Sequence, residues 1–281
     1  RPSFAWTVLA VAAPLVFLPR QAPAEEPPVG GTPAIPVVQY RTQLDTICSG
    51  FDKKTCWVHP RAGAVPGTPP RVVLTMQKLL LTGSDVFYAL NEMRTDDLGK
   101  KWTGPVEHGQ TLGRRQEARG TVVAACDFWP KWHAKTGKLL GIGQTVRYRN
   151  DKGPDKGNRE TCYSVYDEQK HTWTPWTVLE MPDAEKFYNA GAGSVQRVDL
   201  SNGDILLPIY FRGRQEKFCR VSVLRCAFDG LRLKFVEQGN ELSEDTDRGL
   251  AEPSLTRFGG RFYLTLRHDK AGYVSTSQDG L

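Results

Sequence analysis

Three arginines stand at the same place in a repeated pattern. The stretches "KTGKLLGIGQTVRY", "SNGDILLPIYFRG" and "FGGRFYLTLRHD" each set a Gly-containing turn before an apolar, β-rich run, and the runs end in Arg147, Arg212 and Arg267. A guanidinium so placed can grip a carboxylate through two parallel hydrogen bonds, or simply carry a strand end into water. Carboxyl groups stand within the same patterns. Glu252 precedes Pro253 after the turn "DRGLAEPS", and Asp85 closes Gly83-Ser84-Asp85. Each is equally readable as a loop acid or as ordinary turn chemistry. Arg61 follows His59 and Pro60 in "HPRAGAVPG", where His59 reads as packed or exposed rather than catalytic. The stretch "RRQEARGTVVAACDFWPKWHAKTGK" bundles Arg114, Arg115, Arg119 and Asp127 with Trp129, Trp132 and His133. Its aromatics could stack on a sugar, with Arg119 or His133 reading the substituents, or they could pack a sheet. The polar loop within "QTVRYRNDKGPDKGNRE" reads as solvated.

Several chemistries are disfavoured. No Cys or His spacing matches a zinc site, so neither a transition metal nor any other cofactor is expected. The formal charge is +6, a mild bias that suits an acidic ligand, and no dense Lys/Arg run with interleaved aromatics points to nucleic acid. The first residues give a basic start, an apolar run from Phe4 to Leu18, and the triplet Ala22-Pro23-Ala24 ahead of two acids. That is the layout of an export signal, and the run is short of the roughly 20 apolar residues a membrane span needs. Residues 1–24 are therefore expected to be a cleaved signal peptide, 25–40 a Pro/Gly-rich linker and 41–281 the folded domain, with no membrane contact after cleavage. A secreted or periplasmic location follows. In that oxidising compartment six cysteines favour disulfides, Cys48 and Cys56 being close enough to staple one loop. Cys219 and Cys226 sit on one strand at an odd separation, facing opposite ways, and are poor partners.

The elements that must position these residues are strands. Long amphipathic helices are absent, while many short β-rich runs, seven tryptophans and regular turn signals point to an all-β propeller. The clearest local motif, "TDDLGKKW", fits S/T-x-D-x-G-x-x-W through Thr95, Asp97, Gly99 and Trp102. It resembles the Asp-box of the sialidase-like β-propeller family. Physically this is a hairpin clasp: the Asp accepts backbone N–H bonds, the Gly supplies a positive φ, and the Trp packs the turn onto its sheet, largely buried. "SVYDEQKHTW" and "AFDGLRLKF" read as eroded copies around Asp167 and Asp229, and Ser277-Gln278-Asp279-Gly280 opens another. The aspartates at 97, 167, 229 and 279 are spaced by about a blade plus its loops, so four blades are visible.

The segment "AEPSLTRFGGRFYLTLRHDKAGYVSTSQDGL" also resembles the fourth blade of exo-sialidases. The resemblance implies a six-bladed propeller of which this chain carries about four blades, as a fragment, and it covers roughly Val58 to Leu281. It implies that Glu252 polarises a nucleophilic tyrosine, that Arg267 is the second of three arginines holding the substrate carboxylate, and that Arg61 is a loose match to the first. Asp85, ten residues ahead of Thr95, matches the acid/base aspartate, with Arg119 a further candidate substrate contact. The tyrosine and third arginine are expected beyond Leu281. A tyrosine nucleophile, neutral until deprotonated, escapes the repulsion that the substrate carboxylate would exert on a carboxylate nucleophile.

The expected function is thus an exported exo-glycosidase of sialidase type, acting on terminal sialic acid or a related acidic sugar in glycans. The alternative is a non-catalytic propeller that binds glycans or proteins, since fold alone does not license an activity. A lesser alternative is another propeller glycosidase or a polysaccharide lyase. The oligomeric state is left open.

Overall fold

A computed structural model describes residues 7–10, 40–82, 86–152 and 158–281. Of the segments expected as signal and linker, the described part is Thr7–Ala10, a strand antiparallel to Gly272–Ser277, together with Tyr40. Asp85 lies outside the described residues. Residues 40–49 carry no regular secondary structure.

From Gly50 onward the chain is all-β, organised as four successive antiparallel sheets arranged as propeller blades. The first blade is Thr55–Val65, Arg71–Leu80, Phe87–Thr95 and Thr103–Glu107, in sequence order. The second centres on Thr121–His133, Lys138–Arg149 and Thr161–Asp167. The third centres on Asn189–Gly191, Ile205–Arg212, Arg220–Phe228 and Leu233–Gln238. The fourth is Ala251–Phe258, Arg261–Arg267 and Gly272–Ser277. The expected architecture holds, and Arg147, Arg212 and Arg267 do sit at or near the ends of equivalent strands.

The cores lie between blades, which explains why the strands are apolar on both faces. In "ILLPIYFR", Ile205, Leu207, Ile209 and Phe211 pack toward the second blade against Leu140, Ile142 and Val165. Leu206 and Tyr210, at the alternate positions, pack toward the fourth blade against Leu255, Leu264 and Leu266. Successive side chains of a strand point to opposite faces, so one strand serves two cores. The same alternation separates Cys219 from Cys226, which enter different clusters. All six cysteines are free thiols, so the expectation of disulfides is not met. Cys126, Cys162, Cys219 and Cys226 are buried and serve as small core residues.

The turn motifs form clasps between adjacent strands. In the first, Thr95 Oγ1 donates to Asp97 Oδ1 (2.9 Å), Gly99 N–H donates to Thr95 Oγ1 (2.9 Å), and Lys101 N–H donates to Asp97 Oδ1 (2.9 Å). Gly99 adopts φ +87°, the conformation only glycine takes without strain. Trp102 donates its indole N–H to Gly99 O and is largely, though not completely, buried, as the sequence reading expects. Its ring lies against Gly99, the glycine of the turn. Asp167, Asp229 and Asp279 each accept one or two backbone N–H groups in the equivalent turns.

Candidate functional site

The innermost strands break their ladders at one equivalent place. Register shifts occur between Val58 and Arg61, between Cys126 and Trp129, and between Ala251 and Ser254. At these bulges His59, Asp127 and Glu252 take positive φ values of 54°, 51° and 46°, and Ser194 in the third blade takes 58°. A non-glycine residue in this region costs on the order of 1–3 kcal/mol and persists only where surrounding structure enforces it. A bulge also re-aims its side chain. Three blades thus use a bulge, and the third a turn between Asn189–Gly191 and Val198–Asp199, to hold a polar residue in the left-handed region.

Those residues meet in one cavity of about 500 Å³. His59, Asp127, Ser194 and Glu252 line it, with Tyr210 at one wall. Asp127 is the hub. Its Oδ1 accepts from Ser194 Oγ (3.0 Å) and lies 3.1 Å from His59 Nδ1, while its Oδ2 accepts from Gln144 Nε2 (2.9 Å). Gln144 in turn accepts from the Tyr210 hydroxyl (2.7 Å). Burial raises the Tyr210 hydroxyl well above the ordinary phenol value, so it stays protonated at neutral pH.

Basic groups complete the walls. Arg267 Nη1 donates to both oxygens of Glu252 at 2.7 and 2.8 Å, and Arg159 and Arg248 line the same cavity. The hydrogen bond and charge of Glu252 raise the pKa of Arg267, holding it firmly cationic. Arg61 is half-buried beside the hub: its Nη2 reaches Ser194 Oγ at 3.5 Å and its guanidinium lies 5.3 Å from the centre of the Trp129 ring.

Of the residues singled out in the sequence, Glu252 and Arg267 are brought together, and Arg61 reaches the network through Ser194. Arg119 is not brought to the cavity: it sits exposed in the short turn Ala118–Gly120, on the approach to the second blade. His133 is fully buried between Thr136 and the carbonyl of Gly203, a structural partner rather than a reader of substituents. Sequence reasoning passed over His59, Ser194, Arg159 and Arg248. Arg159 belongs to the loop read as solvated, yet its backbone is pinned to the third blade by Asn189 Oδ1 and Ala190 N–H. One available signal was the pairing of a polar residue with a following proline, His59-Pro60 and Glu252-Pro253, since proline cannot donate to a ladder and marks bulges.

No protein-family model and no curated protein sequence matches this chain. Among solved structures it is similar to a Hadza microbial sialidase, at 12% identity and a TM-score of 0.56, with 79% of this chain and 44% of that one covered. It is similar to a Trypanosoma rangeli sialidase at 16% identity and a TM-score of 0.56, covering 79% of this chain and 36% of that one. The same Trypanosoma rangeli enzyme solved with the inhibitor DANA gives 15% identity and a TM-score of 0.55, covering 80% and 36%. This chain therefore spans less than half the length of these structures, and at such identities the likeness is one of fold: a sialidase-type β-propeller.

Proposed function

We propose that this chain belongs to an exported exo-glycosidase of sialidase type that hydrolyses a terminal sialic acid or a related acidic sugar from glycans. The observation that carries the reading is the Glu252–Arg267 pair opening into a cavity whose other walls are Asp127, His59, Arg159 and Arg248. A fixed guanidinium in a recess suits a sugar carboxylate, because a planar cation can hold it by two hydrogen bonds and orient the ring. In this reading Arg267 and Arg61 hold the carboxylate, Glu252 draws the proton from a tyrosine nucleophile, and Asp85 gives a proton to the leaving oxygen and then takes one from water. The clasp motif of Thr95–Trp102, read as an Asp-box, fits the same family. Export rests on the amino-terminal pattern of Phe4–Leu18 and Ala22-Pro23-Ala24, and sequencing the mature amino terminus tests it.

The test of activity is release of fluorophore from a fluorogenic sialoside by the full-length protein. Glu252→Gln is expected to lower kcat by about 10²-fold or more, since it removes the group that activates the nucleophile. No release above the uncatalysed rate sinks the hydrolase reading.

One observation favours a second reading, a propeller that binds acidic glycans without turnover. Glu252 faces Arg267 rather than a tyrosine, and the tyrosine lining the cavity, Tyr210, has its hydroxyl committed to Gln144. Binding of sialic acid with no hydrolysis selects this alternative.

A further inference from the structure

Resting on the reading that the cavity accepts an acidic sugar, we infer that the Asp127 hub makes His59 and Ser194 hydrogen-bond acceptors toward the cavity, and that these two select sugars by their free donor groups. Those donors are hydroxyl O–H or amide N–H on the ring whose carboxylate Arg267 holds. A sugar that lacks them, or carries them capped, is refused.

A carboxylate can only accept, so every group that touches it must spend a hydrogen on it. Asp127 Oδ1 takes the hydroxyl hydrogen of Ser194 (3.0 Å), and Oδ2 takes an N–H of Gln144 (2.9 Å). That contact fixes which way round the amide lies: with Nε2 on Asp127, Oε1 accepts from the Tyr210 hydroxyl (2.7 Å). The amide is also packed in place, because a Cβ at Gly193 would lie 2.2 Å from Gln144 Cδ. His59 Nδ1 is buried and lies 3.1 Å from Asp127 Oδ1, in a bent approach. A lone pair on Nδ1 would face the lone pairs of a carboxylate, so the hydrogen sits on Nδ1, and the neutral ring is left with only a lone pair at Nε2. Among the described residues Nε2 has no hydrogen-bond partner, and the side chain lines the cavity at 32% exposure.

Ser194 is left in the same condition. Its hydrogen is spent on Asp127, and Arg61 Nη2 approaches its oxygen only at 3.5 Å, so a lone pair remains for a ligand. His59 and Ser194 are both held at positive φ, 54° and 58°, a backbone cost that persists only where the surroundings enforce it. Each thus has one polar face locked against a buried carboxylate and the other turned to the cavity. Arg267, by contrast, carries donors and no acceptor. The cavity therefore offers donors from the fourth blade and acceptors from the first and third. A sugar acid has the matching pattern, a carboxylate that accepts and hydroxyls that donate. An acceptor that a ligand strips of water without supplying a donor loses a hydrogen bond, so a missing donor is penalised.

The experiment is titration calorimetry on the full chain with free sialic acid and with analogues that each lack one donor, one hydroxyl at a time replaced by hydrogen, or the amide N–H replaced by oxygen. The unmodified protein is expected to bind at least one analogue about tenfold or more weakly than sialic acid, a comparison that needs no variant. That penalty is expected to vanish in His59→Phe or in Ser194→Ala, each checked for an unchanged melting temperature, since the acceptor it reports is gone. Affinities for all analogues within about threefold of sialic acid, or penalties that survive in both variants, overturn this inference and leave the acidic-sugar reading standing. No binding of sialic acid itself overturns both.

Discussion

Arg267 and Glu252 are fifteen residues apart, and one nitrogen of the guanidinium donates to both oxygens of the carboxylate, at 2.7 and 2.8 Å. They come from neighbouring strands of one blade, where Ala251 pairs with Arg267, and the bulge between Ala251 and Ser254 turns Glu252 out of the ladder toward that arginine. The cation at the strand end and the strained acid are therefore a single unit. Its position beside the Asp127 hub is what gives the cavity both signs of charge.

A second carboxylate works in the opposite way, as mortar. Glu92 is buried and accepts from the Tyr166 hydroxyl (3.0 Å) and the Trp173 indole (2.9 Å), both in the second blade, as well as lying 3.0 Å from Arg94 and 3.1 Å from His108. Glu92→Ala is expected to destabilise the protein by on the order of 3–5 kcal/mol, because it leaves buried donors and a cation without their acceptor. Urea denaturation measures this, and a loss below about 1 kcal/mol would show that the first two blades do not depend on the bond.

The four turn aspartates set an acid limit on stability. Asp97, Asp167 and Asp229 lie below the ordinary value of 3.8 because of backbone N–H donors, chiefly those of Lys101, Lys170 and Arg232. For Asp279 burial pushes upward but the Leu281 N–H and the Ser277 hydroxyl outweigh it. Groups depressed on folding bind fewer protons in the native state, so their stabilisation is complete above 3.8 and is lost as pH falls through the lower native values. A double variant Asp97→Asn, Asp167→Asn is expected to lose less melting temperature than the unmodified protein between about pH 5 and pH 2. Parallel losses would contradict this account of the clasps.

Gly249 carries a local backbone requirement. Gly249→Ala places a methyl 2.2 Å from Cys219 O at φ +81°, and is expected to cost about 1–2 kcal/mol or more while displacing Arg248. Thermal melting reads this cost. An alanine variant as stable as the parent would mean that the crossing at Cys219 is not fixed.

The parts of this molecule legible in the sequence are those made by short-range chemistry. The clasp around Asp97 was readable because its donors, acceptor and glycine lie within eight residues, and the strand of Ile205–Arg212 was readable because β-rich apolar runs between turns have few other uses. The repetition of a strand ending in arginine marked Arg147, Arg212 and Arg267 alike, and the resemblance of the last segment to the fourth blade of exo-sialidases is what singled out Arg267. What could not be read is whatever depends on closure. His59, Asp127 and Ser194 are distant in sequence, and only the packing of blade on blade makes the side chain of one the partner of the next. Bulges also hide from a two-residue period, since the left-handed residue interrupts the alternation that identifies the strand. Arg159 looked solvated because its neighbours are polar; the bonds that pin it come from Asn189 and Ala190, in another blade.

The central claim is that Arg267 holds the carboxylate of an acidic sugar. Its most direct test is kcat/KM for a fluorogenic sialoside, with titration of free sialic acid alongside, in the full-length protein and in Arg267→Ala. The account predicts a loss of about 10²-fold in kcat/KM and a matching weakening of sialic acid binding, with Arg267→Lys restoring little because an ammonium cannot reproduce the planar two-point contact. Unchanged affinity and turnover in Arg267→Ala, with the fold intact, would mean that Arg267 serves only to pair with Glu252 and carry a strand end into water.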